Sequence, residues 1–253
     1  MSTPLVLSPK ECHGLSWYPP HDLGFAANKA LIPLHAGELA KAAATMPLAL
    51  IKENREWHLV GVCGIETGHN LFIKDGKWLG NYRPAWLSTY PFEIVTVGEK
   101  GLVTFERDSG LLGAEEGEPF FDEQGQMSEA VATRIEALKI SHRKHQATQK
   151  ALSALAKAQV ITPWPEALYS QLGLSINGLH MIDEKALSQL DDETFLNLRK
   201  AQALPIAYAV NLSLPQTHLL GRLARLNPGY VTAPENLDSF FDNDEDLSFD
   251  FDA

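Results

Sequence analysis

The chain has 253 residues, of which 45% are hydrophobic, so it can bury a sizeable core. Its 32 acidic residues outnumber its 21 lysines and arginines, and the formal charge of −11 argues against general nucleic-acid binding, which needs a basic surface. Two cysteines are too few for a disulfide framework, and no apolar run approaches the roughly 20 residues that span a membrane.

The first part of the chain, residues 1–127, is predicted to be rich in strands. One Ala-rich helix is expected at residues 37–45, where Pro47 stops it. Residues 54–56 and the Asp-Gly pair within residues 74–77 are predicted turns. The candidate strands are short apolar runs beside such turns, and they cover residues 48–51, 57–65, 71–73, 92–97 and 102–106.

The second part, residues 128–230, is predicted to be mainly helical. Ser128 can cap a long helix that runs to about Gln159. The apolar run 204–212 is predicted to be a strand. Shorter helices are predicted at residues 183–190, 192–201 and 215–226. The two parts together predict one α+β domain, in which a strand-rich N-terminal part is packed by a mostly helical C-terminal part.

Residues 235–253 differ from the rest of the chain in charge. They contain eight acidic residues and no lysine or arginine, so this tail repels itself and is not expected to fold alone. It is either a solvated tail that aids solubility or a docking peptide whose acids steer it towards a basic partner. A C-terminal export signal is a further alternative. The docking interpretation uses as anchors Phe240, Phe241, Phe249 and Phe251.

A stripe along the predicted long helix is apolar at both ends and polar in its middle. Alternate spacings of four and three place these residues on one face: Val131, Ile135, Leu138, His142, His145, Gln149 and Leu152. His142 and His145 can bind one metal ion together if another segment supplies a carboxylate. In the alternative interpretation the helix projects beyond the core, and both histidines are solvated.

Aromatic residues are concentrated in residues 78–92. Gly80 and Pro84 prevent one continuous helix here, and Arg83 is the only charged residue between Lys77 and Glu93. Aromatic faces around one guanidinium suit a carboxylate, a peptide backbone or a sugar. The same rings can instead be part of the hydrophobic core. The candidate binding residues are Trp78, Tyr82, Arg83, Trp86, Tyr90 and Phe92.

The sequence identifies no catalytic residue and no cofactor. Cys63 lies in an apolar run, where a strand places His58 on the opposite face, and Cys12 and His13 form an isolated pair near the N-terminus, so neither cysteine is a convincing nucleophile. The G-x-S-x-G, G-x-x-x-x-G-K-[ST] and G-x-G-x-x-G motifs are absent from the sequence. These observations favour a protein-binding or peptide-binding factor and leave a metal-dependent enzyme with His142 and His145 as the alternative.

Several short stretches, taken in order over residues 20–226, resemble the bacterial SapC family. The most specific are residues 68–72, which include Asn70, and residues 78–92, which include Tyr-Arg-Pro-Ala and Tyr-Pro-Phe. Where the family has an arginine before Tyr-Pro-Phe, this chain has Ser88 and Thr89. The other stretches that resemble the family include Ile32-Pro-Leu34 with Glu38, Met46-Pro47, Ile182-Asp-Glu184 and Ala207-Tyr-Ala209.

The resemblance implies a surface-layer-associated or accessory protein. It also implies, as an alternative, an accessory to a halogenase or oxygenase system that modifies proteins, and it adds Asn70 to the candidate binding residues. The first residues form no secretory signal, since no basic segment precedes a long apolar one. We therefore expect a cytoplasmic protein, with the cell surface reached only through a signal-less or C-terminal export route.

Overall fold

The computed structural model describes residues 4–98, 100–113 and 117–226. The strands in chain order are β1 (Leu5–Val6), β2 (Ser16–Trp17), β3 (Leu31–Pro33), β4 (Leu48–Glu53), β5 (Glu56–Val62), β6 (Ile73–Lys74), β7 (Lys77–Trp78), β8 (Phe92–Val97), β9 (Lys100–Phe105), β10 (Leu112–Gly113), β11 (Glu118–Pro119), β12 (Ile161–Pro163) and β13 (His180–Ile182). The helices are α1 (Leu39–Ala42), α2 (Trp86–Thr89), α3 (Glu129–Lys157), α4 (Glu166–Leu172), α5 (Glu184–Ser188), α6 (Asp192–Lys200), α7 (Leu204–Leu212) and α8 (Thr217–Arg225). Sheets dominate the N-terminal part and helices the C-terminal part, which confirms the predicted α+β fold.

The largest described sheet is antiparallel and has the strand order β12-β13-β4-β5-β3. Its central pair is the predicted hairpin, in which Glu53 faces Glu56 across the turn. Asn54 and Arg55 both have positive φ angles, as a two-residue turn requires. Strands β12 and β13 come from the C-terminal part, so both parts of the chain contribute to this sheet.

The first hydrophobic core covers this sheet. Helix α7 packs on β13 and β4, and the C-terminal end of α3 closes the core near β5. Ser213 joins the layers because its hydroxyl accepts a hydrogen bond from the Leu48 amide at 2.8 Å. The large side chains with no exposed surface in this core include Ile32, Met46, Leu48, Leu50 and Leu59.

A second, smaller core lies under the sheet of β1, β9 and β8. It is mainly aromatic, and its rings meet edge to face. The centroids of Trp17 and Phe92 are 5.0 Å apart, and those of Phe105 and Phe120 are 5.2 Å apart. Such contacts add to the free energy gained by burying the rings.

Helix α3 joins the two cores. It has 29 residues, and Ser128 caps its N-terminus, as the sequence predicts. The Ser128 hydroxyl accepts a hydrogen bond from the Val131 amide. Its first turns contribute Val131, Ile135 and Leu138 to the second core. Its last turns contribute Ala151, Leu152 and Leu155 to the first core.

The strand prediction for residues 204–212 is wrong, because this run forms helix α7. Pro205 occupies the first turn, where its missing amide hydrogen costs nothing. The helix buries Ile206, Ala207 and Val210 on one face and exposes Tyr208 and Leu212 on the other. A run with so many apolar residues hides this helical period, which explains the error.

Among the described residues, no helix is both long enough and apolar enough to cross a membrane. The tail prediction, with Phe240, Phe241, Phe249 and Phe251 as anchors, lies outside the described residues.

Candidate functional site

A buried carboxylate, Glu38, holds the aromatic segment in place. Glu38 is only 4% exposed, and its Oε1 accepts hydrogen bonds from the Tyr82 hydroxyl at 2.7 Å and the Ala85 amide at 2.8 Å. Its Oε2 accepts a hydrogen bond from the His35 amide at 3.0 Å. Burial, then the hydrogen bond and charge of Glu38, raise the pKa of Tyr82. The three donors fix the segment that follows β7 against the helical turn around α1.

Trp78 and Tyr82 are only half buried, but their polar atoms are used within the protein. The Trp78 indole Nε1 donates a hydrogen bond to the Tyr82 carbonyl at 2.7 Å. The Trp78 ring also stacks on Phe72 at a centroid distance of 5.1 Å. These two candidate residues therefore shape the segment and present only one side to solvent.

Two other candidate residues lie inside the protein. Phe92 is 1% exposed and belongs to the second core. Asn70 is 4% exposed, donates a hydrogen bond to the Ala26 carbonyl and accepts one from the Phe72 amide. Phe92 and Asn70 therefore make contacts inside the protein. The surface available to a ligand is formed by the residues next to them.

An aromatic cleft of about 720 Å³ opens beside α2. Phe25 and Tyr90 are parallel and stacked with centroids 4.0 Å apart, and the Trp86 ring lies 6.0 Å from both. Trp86 and Tyr90 are candidate residues, whereas Phe25 was missed. It lies in a short helical turn more than fifty residues earlier in the chain, and no local pattern connects it to Trp86.

Charged side chains line the far side of this aromatic cleft. Burial, then the charge of Glu106 and a hydrogen bond with it, raise the pKa of Tyr90 to about 12. Partial burial and the Glu106 charge raise the pKa of Glu93, and Lys29 opposes this shift. The cleft therefore combines three aromatic faces with side chains of both charges, since acidic and basic residues line it, and this combination suits a polar peptide.

A second opening, the arginine cleft, has a volume of about 440 Å³ and shares Phe25 with the aromatic cleft. Arg83 lines it, as does Arg134 from α3. The sequence analysis also missed Arg134, because nothing in the sequence of a long helix indicates which of its basic residues contacts a distant loop. Trp78 forms part of the same wall.

The histidine stripe of α3 lies between the two cores. The Nε2 of Gln149 is 3.2 Å from His58 Nδ1 and 3.4 Å from His145 Nε2. His142 pairs with Gln146 at 3.1 Å. Burial, followed by the charges of three other histidines, lowers the pKa of His145. The stripe borders a cleft of about 800 Å³ and meets β5 through His58.

The metal prediction for His142 and His145 stays a prediction. Among the described residues, no group of three or more His, Cys, Asp or Glu side chains is placed to bind one metal ion. His58 is the residue that the structure adds beside His145, with ring centroids 6.3 Å apart. Elemental analysis of the untagged protein would test the prediction.

The cysteines have the surroundings of unreactive thiols. Cys12 and Cys63 are free and buried. Burial raises the pKa of both thiols, so the nucleophilic thiolate is disfavoured.

A comparison with known proteins identifies the family. No curated protein and no solved structure matches the chain. A family model described as SapC matches residues 7–220, a span that includes helix α3 and most of both cores and of the three clefts. This match covers most of the chain and confirms the resemblance, and the protein is a member of the SapC family.

Proposed function

We propose that this protein is a non-enzymatic binding factor that holds a protein or peptide segment in the aromatic cleft. The observation that carries the proposal is the set of three rings, Phe25, Trp86 and Tyr90, which line an open cleft at the edge of the first core. Phe25 and Trp86 are half buried, whereas Tyr90 is buried. Tryptophan and tyrosine side chains often supply most of the binding free energy at protein interfaces.

The Trp86→Ala variant tests this function. The variant removes the indole at the cleft, and capture of partners from producing cells should fall at least tenfold, as loss of an interface anchor predicts. The melting temperature should change by only a few degrees. Chemical cross-linking with mass spectrometry would quantify the capture.

The matched control is Tyr208→Ala, because Tyr208 is 49% exposed on α7 and is not part of the cleft. This variant should capture partners as well as the wild type does. A large fall in the melting temperature of Trp86→Ala would instead show that the ring is a core residue. Equal capture by both variants would contradict a role of the cleft.

We further propose that the protein acts in the cytoplasm as an accessory to a surface-layer or protein-modifying system. The support for the accessory role is its membership of the SapC family. Cell fractionation followed by immunoblotting would test the location. Detection of the protein only at the cell surface would contradict the cytoplasmic role and favour an exported component.

A further inference from the structure

Two arginines from distant parts of the chain meet at the arginine cleft. Arg83 belongs to the segment after β7, and Arg134 belongs to the second turn of α3. The Arg134 guanidinium lies over the Trp17 ring at 5.2 Å from its centroid. Its Nη1 donates hydrogen bonds to the carbonyl oxygens of Ser88 at 3.3 Å and Tyr90 at 3.1 Å. The fold therefore fixes the position of Arg134 before any ligand binds.

The arginine cleft is lined by three basic residues, Arg83, Arg134 and Lys77, and by two acidic ones, Asp22 and Asp75, so one positive charge is in excess. Neither arginine forms an ion pair with a described acid. Burial and the charge of Arg83 both lower the pKa of Arg134, so the two guanidinium groups repel each other. Repulsion between two like charges in a partly desolvated cleft is relieved when an anion binds between them.

We propose that Arg83 and Arg134 form a carboxylate-binding site for an acidic residue of the bound peptide. The proposal rests on the peptide-binding function proposed above and specifies the ligand chemistry. A guanidinium group presents paired N–H donors that match the two oxygens of a carboxylate. Arg134 uses Nη1 for backbone carbonyls, which leaves its other donors for a ligand.

The position of Phe25 connects this site with the aromatic cleft. Phe25 lines both openings, so the two clefts are adjacent. A peptide that contacts Trp86 in the aromatic cleft can place a neighbouring acidic side chain at Arg83 in the arginine cleft. The ligand class is therefore a peptide with an acidic residue close to the residue that enters the aromatic cleft.

Fluorescence anisotropy with two labelled peptides tests the site on the full-length protein. One peptide alternates Glu and Gly, and its neutral counterpart alternates Gln and Gly. The wild type should bind the Glu peptide at least tenfold more tightly than the Gln peptide. The Arg83→Gln variant should bind the Glu peptide at least tenfold more weakly than the wild type, with little change for the Gln peptide. Arg83→Lys should fall between the two, because it keeps the charge but loses the paired donors.

The control is Arg199→Gln, which removes the same charge from an exposed position on α6. If Arg83→Gln and Arg199→Gln weaken binding equally, the effect is one of net charge and the proposal is wrong. Displacement of the probe by inorganic phosphate at lower concentrations than by acetate would also overturn it, in favour of a phosphate site. Trp86→Ala separates the two proposals: if it abolishes partner capture while Arg83→Gln leaves the Glu peptide bound, only the carboxylate site fails.

Discussion

Glu38 shows how one residue positions the rest of the candidate site. A buried carboxylate is costly to desolvate unless hydrogen-bond donors surround it, and Glu38 has three within 3.0 Å. Two of these donors belong to Tyr82 and Ala85, in the segment that leads directly into α2. Glu38 is therefore a positioning residue for Trp86, although it does not line the aromatic cleft.

The Glu38→Gln variant is expected to lose about 2 kcal/mol in free energy of unfolding. Glutamine keeps the size of the side chain but has a single accepting oxygen, so at least one buried donor loses its partner. Tyr82→Phe removes only one hydrogen bond to the carboxylate and should cost about 1–2 kcal/mol. Urea denaturation followed by tryptophan fluorescence would measure both values.

Glu136→Gln is the control for this pair, because Glu136 is an exposed residue on α3 with long ion-pair distances of 3.9 Å and 3.7 Å. It should change the free energy of unfolding by less than about 0.5 kcal/mol. A Glu38→Gln protein with wild-type stability would show that the buried carboxylate does not hold the segment.

Local patterns predicted only part of the site at the residue scale. The spacing of four between Trp78, Tyr82, Trp86 and Tyr90 marked the segment, because it needs no knowledge of distant residues. Phe25 and Arg134 complete the clefts from positions far away in the sequence, and only the tertiary fold brings them there. Phe92 is aromatic, like the residues that line the clefts, and only its burial distinguishes it from them.

Helix α3 explains, at the scale of elements, why a polar stretch interrupts an apolar stripe. The apolar ends of the stripe belong to two different cores, and the polar middle crosses the space between them. Neither the metal-binding nor the solvated interpretation of the stripe included His58, which lies on β5 and contacts Gln149 in the polar middle of the stripe. The spacing thus predicted which residues share one face of the helix, but it could not predict which residues of other elements contact that face.

Acidification is expected to destabilise the protein partly through His145. Burial and the neighbouring histidines lower its pKa from the ordinary value of 6.5, so the unfolded chain binds this proton at a higher pH than the folded protein does. The contribution of His145 to stability is therefore complete above pH 6.5 and is lost as the pH falls below it. Calorimetry should show a smaller loss of melting temperature between pH 7.5 and 5.5 in His145→Gln than in the wild type.

His13→Gln serves as the control for the pH experiment, because His13 is exposed and lies outside the helix. Between pH 7.5 and 5.5 the melting temperature of the His13→Gln variant should fall by as much as that of the wild type. If His145→Gln also loses as much as the wild type, the titration of His145 does not affect stability.

The prediction of elements succeeds where the signal is local, and it fails at strand β13. The predicted cap at Ser128 and the turns at residues 54–56 and 74–77 depend on neighbouring residues, and the structure has them. Strand β13 has only three residues, which pair with β12, and it joins the sheet through one position paired with β4, more than a hundred positions away in the chain. Such pairing leaves no local signal, so the contribution of the C-terminal part to the sheet was not predicted.

At the scale of the whole molecule, the described residues form two cores, and helix α3 belongs to both. The first core is aliphatic and large, and the second is aromatic and small. A small core buries too little surface to be stable by itself, so it depends on elements that it shares with a larger one. Helix α3 is such an element, and it lines both the arginine cleft and the cleft beside the histidine stripe.

Substitutions in either core are therefore expected to destabilise the same cooperative transition. Leu152→Ala in the first core and Ile135→Ala in the second should each cost about 2–4 kcal/mol, because both side chains are at most 2% exposed. Ile140→Ala is the control, since Ile140 on the same helix is 44% exposed and should change stability little. Calorimetry of the wild type should show one transition that both core variants shift to lower temperature. Two transitions, with each variant moving only one of them, would show that the cores unfold separately and that α3 does not couple them.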